Sequence, residues 1–307
     1  MYVPRGAPKV PVIPVVGAFL LLLFQGVISV RTELVAVPVT VTDGRGRHVT
    51  GLTQDNFRVY ENGRLQPITV FDYGDAPIVL GVVVDRSQSM RPKAAALGTA
   101  LSSLLESSGL DDELFGVNFH DDVSLALARE PFTHDAKELA TALSAVRAAG
   151  RTALYDGVAE GLRHLELGRS RKRALIVISD GGDNASRLTY AQVLALARRS
   201  DSVIYAIGLS GTGVAQEEED AGLLERLSKE TGGIAYFPRS IEETAVVARQ
   251  IARDLREQYT LGFSPGTSAN GEAFRKITVT VSAARRGRLH SRTRSGYYAT
   301  PDADARQ

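Results

Sequence analysis

Three patterns of apolar and polar positions succeed one another along the chain. From Glu33 to Asp75 the apolar residues alternate: Val35, Val37, Val39 and Val41 fall on one face before a "DGRG" turn. "FRVYENGRLQPITVF" then gives two strand-like runs about Asn62-Gly63, a pair suited to a tight hairpin turn. From Ala76 to about Gln258 the compact apolar runs "PIVLGVVV", "ELFGVNF", "RALIVIS" and "SVIYAIGL" alternate with "AKELATALSAVRAAG", "ALYDGVAEGLRHLEL" and "YAQVLALARRS", which are apolar at three- and four-residue spacing. Strands apolar at nearly every position need cover on both faces, and intervening helices supply it. The pattern predicts an α/β fold over 76–258, doubly wound, with a mostly parallel sheet flanked by helices. After Glu257 the two-residue period returns in "QYTLGFSP" and in "FRKITVTVSAARRGRLHSRTRSGYYA", where Ile277, Val279 and Val281 share a face. Neither β segment buries much surface alone, so 33–75 and 259–299 are expected to pack as the two halves of one small antiparallel unit, with the α/β domain inserted between them. Residues 300–307 read as a tail.

Residues 1–30 follow a different rule. Arg5 and Lys9 precede "VPVIPVVGAFLLLLFQGVISV", an uncharged run that ends at Arg31. This is the pattern of an export signal or an N-terminal membrane anchor. Pro11 and Pro14 disfavour a helix at its start, leaving a core of roughly fifteen residues, nearer to a signal sequence than to a full span. Small residues near Gly26 and Ser29 offer a candidate cleavage point without a clean A-x-A. The expectation is an extracytoplasmic protein that is secreted, periplasmic or membrane-anchored. With no cysteine in 307 residues, its stability there has to come from packing rather than disulfides. The 44% hydrophobic and 23% charged content is that of a globular chain, and a net charge of +1 gives no electrostatic case for nucleic acid.

Two of the buried strands run into an acid: "IVLGVVV" into Asp85 and "RALIVIS" into Asp180. In an open α/β sheet ligands collect at the carboxyl ends of the strands, so both acids belong to one rim. Asp85 opens a D-x-S-x-S run with Ser87 and Ser89, and "AAGRTALYDG" adds Thr152 in a loop entering a helix. Two carboxylates and three hydroxyls make a hard, all-oxygen donor set that selects Mg²⁺ or Mn²⁺, with Ca²⁺ a weaker candidate, over zinc or copper.

Asp85, Ser87, Ser89, Thr152 and the Asp180 of "ISDGGDN", in this order on this strand pattern, resemble the von Willebrand factor A domain with its metal-ion-dependent adhesion site. The flanking "VTVTDGRGRHVTGLTQDNFRVYENGRLQPITVF" and the stretch from "YTLGFSP" to "GYYA" resemble exported acidobacterial proteins related to von Willebrand factor A. The resemblance implies a metal held by those five residues, partly through water, and completed by an acidic side chain of a protein or peptide partner. Asp183 and Asn184 read as loop or supporting residues, Asp156 as a first-turn partner of the helix dipole, and His120 as a surface histidine near the rim. "GLSGTG" near residue 210 lacks the Lys-Ser/Thr of a phosphate loop, and "QEEED" at 216–220 reads as a solvated loop before a helix. The arginines of "RRGRLHSRTR" read as the wet face of a ribbon.

These features favour a binding module without enzymatic activity. A structural envelope protein with a fold-stabilising metal is the alternative. A hydrolase using Ser87 or Ser89 is disfavoured because no G-x-S-x-G elbow is present and the five histidines are scattered. A metallo-phosphatase is disfavoured for want of a second carboxylate cluster.

Overall fold

The alternating valines Val35, Val37, Val39 and Val41 point into one core from β1 (Val35–Asp43), in a computed structural model that describes residues 34–74, 76–209, 215–265 and 274–298. The segment 1–30 and the tail 300–307 lie outside the described residues. Asn62 and Gly63 both take positive φ, 48° and 80°, and close the hairpin of β2 (Phe57–Glu61) and β3 (Arg64–Gln66). β1 pairs on one side with β11 (Tyr259–Phe263) and on the other with β13 (Leu289–Thr293), and β4 (Val70–Asp72) joins β11 at the edge. β12 (Phe274–Val281) pairs with β2 and with β14 (Gly296–Tyr298). Strand pairing joins the two flanking segments in two four-stranded antiparallel sheets. Both contribute to a single core that includes Val37, Phe57, Tyr259, Phe263 and Ile277.

Between them lies a six-stranded sheet built from β5 (Ile78–Asp85), β6 (Glu113–Phe119), β7 (Val123–Leu125), β8 (Lys172–Ser179), β9 (Val203–Gly208) and β10 (Ala235–Tyr236). The order is β10-β9-β8-β5-β6-β7, parallel except for β7 at the edge. Alternate residues of β5 face opposite layers. Ile78, Leu80, Val82 and Val84 share a core with α1 (Ala94–Leu105), α2 (Ala136–Ala145) and α6 (Ile241–Arg256), while Val79 and Val83 share one with α3 (Leu154–Leu165), α4 (Tyr190–Arg199) and α5 (Ala215–Thr231). The "QEEED" stretch lies in the opening turns of α5 rather than in a loop.

β5 has β6 on one flank and β8 on the other, so strand order reverses beside it. This is where an open α/β sheet forms its crevice. Two glycines bring α3 against the sheet at that point: a Cβ on Gly157 would come within 2.8 Å of the Phe119 ring, and one on Gly161 within 2.8 Å of Leu175 and Val83. The close seat carries the start of α3, and Thr152 ahead of it, to the strand ends.

A polar joint ties the β core to the α/β body. His48 Nε2 lies 2.6 Å from Asp254 on α6, and its Nδ1 lies 3.3 Å from Glu257. Arg292 of β13 pairs with the same Asp254, which also accepts from the Tyr205 hydroxyl. The hydrogen bond to Asp254 raises the His48 pKa above its ordinary 6.5, against the effect of burial. Burial pushes Asp254 up, but the His48 and Arg292 contacts more than reverse it and leave its carboxyl below the usual range. A raised imidazole pKa contributes stability that is complete below the unfolded value and lost as pH climbs through the folded one. Thermal unfolding of the parent protein and of His48→Gln should therefore differ most at acidic to neutral pH and converge at alkaline pH; a difference independent of pH contradicts this joint.

Candidate functional site

Asp85 is the last residue of β5 and is fully buried. A carboxylate without water needs donors. Its Oδ1 accepts from the Ser87 backbone N–H at 2.7 Å and its Oδ2 from the Ser179 hydroxyl at 2.6 Å. Burial pushes the Asp85 pKa up to about 6 in spite of these bonds, and the neighbouring Asp180 carboxylate adds to the rise. This acid is under-compensated and would gain from a nearby cation.

Past Asp85 the chain turns sharply. Ser87 is buried and Ser89 exposed, and their hydroxyls lie 2.9 Å apart across one turn. That turn is fastened to the Thr152 loop by Ala149 N–H to Arg86 O at 2.7 Å and Gln88 N–H to Gly150 O at 3.1 Å. The Thr152 loop is fastened in turn to the loop after β8. Asn184 accepts from the Thr152 N–H through its side chain at 2.9 Å and donates its own N–H to the Thr152 carbonyl at 2.9 Å. Asp180 follows β8 directly, and Lys93 Nζ donates to its Oδ2 at 2.9 Å. Backbone bonds thus hold the three loops carrying Asp85, Ser87, Ser89, Thr152 and Asp180 together at the point where strand order reverses. Thr152 is buried and joins this group through its backbone bonds.

The supporting residues act through hydrogen bonds. Asp183 Oδ1 accepts from the Tyr155 N–H and from the Ser186 hydroxyl. Asp156 accepts from the backbone N–H groups of Arg187 and Leu188, so it braces the loop after β8 besides lying in the first turn of α3. His120 accepts the Asp121 N–H on its Nδ1, and its carbonyl receives the Ala153 N–H beside Thr152. The Ser87 hydroxyl lies against that of Ser89 and also bonds the Asp85 carboxylate.

Sequence reasoning passed over three residues. Ser179 bonds Asp85 across the strand gap. Lys93 faces Asp180 from the turn before α1. Arg86 is buried, pairing with Asn118 and with the Leu143 carbonyl at the end of α2. Ser179 was readable as the polar residue interrupting an apolar strand just before its acid. Arg86 and Lys93 have no such signal, because charged residues in the connection after a strand are normally solvated.

Among the described residues no group of three or more His, Cys, Asp or Glu side chains is placed to hold a metal. A cation at this rim would rest on two carboxylates and the serine and threonine hydroxyls. That hard-oxygen set fits Mg²⁺ or Mn²⁺.

The sequence profile of the von Willebrand factor type A domain matches residues 80–250, more than half of the chain. The chain therefore belongs to the von Willebrand factor type A domain family. Its fold is similar to that of a von Willebrand factor type A protein from Catenulispora acidiphila, with a TM-score of 0.51 and 13% identity over 81% of this chain and 75% of that one. The pilus adhesin SpaC of Lactobacillus rhamnosus GG, in its open conformation, gives a TM-score of 0.49 and 12% identity over 84% of this chain and 49% of that one. An uncharacterized protein of Borreliella burgdorferi is 29% identical over 101 residues, 28% of this chain and 30% of that relative. At 13% identity the likeness to the Catenulispora protein is one of fold.

Replacing Ser179 with Ala leaves Asp85 Oδ2 buried without its donor. Ser179→Ala should cost about 1–3 kcal/mol in denaturant unfolding near neutral pH. A variant as stable as the parent contradicts the role given to this bond.

Proposed function

We propose that the chain is a divalent-cation-dependent, non-enzymatic protein-binding module of an exported bacterial protein, recognising a protein or peptide through an acidic side chain. The observation that carries this reading is the buried Asp85, held at a strand-order reversal among loops that also present Ser87, Ser89, Thr152 and Asp180. Those five residues would hold Mg²⁺ or Mn²⁺, and when bound the ion supplies an electrophilic position for a partner carboxylate. The chain's own residues do the positioning. Ser179 and the Ser87 N–H aim Asp85, and Asn184 fixes the Thr152 loop. Arg91 and Arg151 are exposed beside these loops, Arg91 bonded to the Ala148 carbonyl and Arg151 to Asp121, and their charge favours an acidic partner. The flanking β segments support placing the chain with the acidobacterial exported proteins, and the Arg5/Lys9 flank with its apolar run supports an extracytoplasmic location.

The expected outcome is that Asp85→Ala and Asp180→Ala each abolish calorimetric Mg²⁺ and Mn²⁺ binding and capture of a partner from envelope extracts. Circular dichroism should show both variants folded. Ser87→Ala, Ser89→Ala and Thr152→Ala each remove a neutral donor that water replaces, and should weaken metal binding by less, about tenfold. Metal binding by Asp85→Ala as tight as by the parent contradicts the adhesion-site reading. Chelation that unfolds the parent, rather than releasing its partner, supports a structural metal instead.

A further inference from the structure

The cations around the rim divide by what they bond. Arg86 gives its guanidinium to Asn118 and the Leu143 carbonyl, Arg91 to the Ala148 carbonyl, and Arg151 to Asp121. Lys93 differs. Its ammonium lies 2.9 Å from Asp180 Oδ2, in a pair whose side chains are only 19% and 13% exposed. Among the described residues it is the cation that pairs with a carboxylate of the candidate metal set. Such shielding makes the pair stronger than a surface salt bridge, and it makes a second cation on the same carboxylate feel the first.

We infer that Lys93 is a built-in counter-cation, sharing Asp180 with the divalent ion and thereby setting the affinity of the site. This rests on the metal-binding role proposed above. With the rim empty, Lys93 offsets one of its two carboxylates. Metal ligation requires both carboxylates ionised. Two carboxylates, one ammonium and one divalent ion then sum to a single positive charge, on top of the fixed charge of Arg86 that acts on Asp85. A partner carboxylate cancels that charge. Lys93 thus weakens the ion's hold in the absence of a partner and makes ion and acidic partner bind cooperatively. Without the ammonium, the ion and the two aspartates would already be neutral, and the electrostatic demand for a partner acid would fall. Lys93 is a positioning and charge-setting residue: it touches the ligand set, not the partner.

The test compares the parent protein with Lys93→Gln and Lys93→Arg, using Mn²⁺ and Mg²⁺ alone as probes in calorimetric titrations. Thermal unfolding in excess chelator is measured alongside. Lys93→Gln is expected to bind both ions about tenfold or more tightly than the parent, and Lys93→Arg no more tightly than the parent. In chelator Lys93→Gln should melt below the parent, because Asp180 loses its partner, and the ions should raise its melting temperature by more. Parental affinity in Lys93→Gln, or weaker binding by that variant, overturns the inference while leaving the metal site standing. An unchanged melting temperature in chelator also overturns it, since the ion pair would then be absent from the folded protein. Failure of the parent and both variants to bind either ion overturns the metal-site reading and this inference together.

Discussion

The site depends on one carboxylate being kept out of water. Asp85 ends the central strand of a parallel sheet, fully buried, with one oxygen on a backbone N–H and the other on the Ser179 hydroxyl of the neighbouring strand. Its position follows from topology: β5 is the strand at which the order reverses, so its end opens into the crevice between helices leaving in opposite directions. Its environment follows from packing, since Phe119 is its register partner on β6 and the glycine-seated helix α3 lies close against the sheet there. Burial without full compensation holds the acid near a pKa of about 6. The Ser87/Ser89 turn and the strapped Thr152 loop lie beside that unmet charge, and Asp180, paired with Lys93, adds a second negative charge to it.

The β segments and the α/β body are coupled by a second polar arrangement of the same kind. Asp254 on α6 gathers His48, Arg292 and Tyr205, so a carboxylate placed between two apolar cores is satisfied by residues from both. All these elements belong to one compact unit, Glu33–Gln307. Chain connectivity places the β strands at both ends of the α/β body, and their pairing clamps the entry and exit of that body to each other.

Much of this is legible in the sequence. The four apolar runs are β5, β6, β8 and β9 because fully buried strands have no polar face to confuse the pattern. Asn62-Gly63 announced its turn because few residues tolerate positive φ in succession. The short pieces were harder. β4, β7 and β10 have two or three residues each, too few for a period to show. The split of the β unit into two sheets is decided by contacts more than two hundred residues apart, such as Val37 opposite Leu261, which no local pattern records. In the site, the five oxygen-bearing residues stood out by spacing. The residues that tune them did not: Ser179, Lys93 and Arg86 acquire their roles only when strands and loops distant in sequence meet.

The central claim is that the Asp85 rim holds a hard divalent cation. It is tested most directly by crystals grown in Mn²⁺, with the anomalous scattering of manganese locating the ion. The account predicts an anomalous peak at the carboxyl ends of β5 and β8, within ligand distance of the Ser87 and Ser89 hydroxyls and beside Asp85 and Asp180. Well-ordered crystals with no peak at that rim, or with manganese bound only elsewhere on the protein, would contradict it.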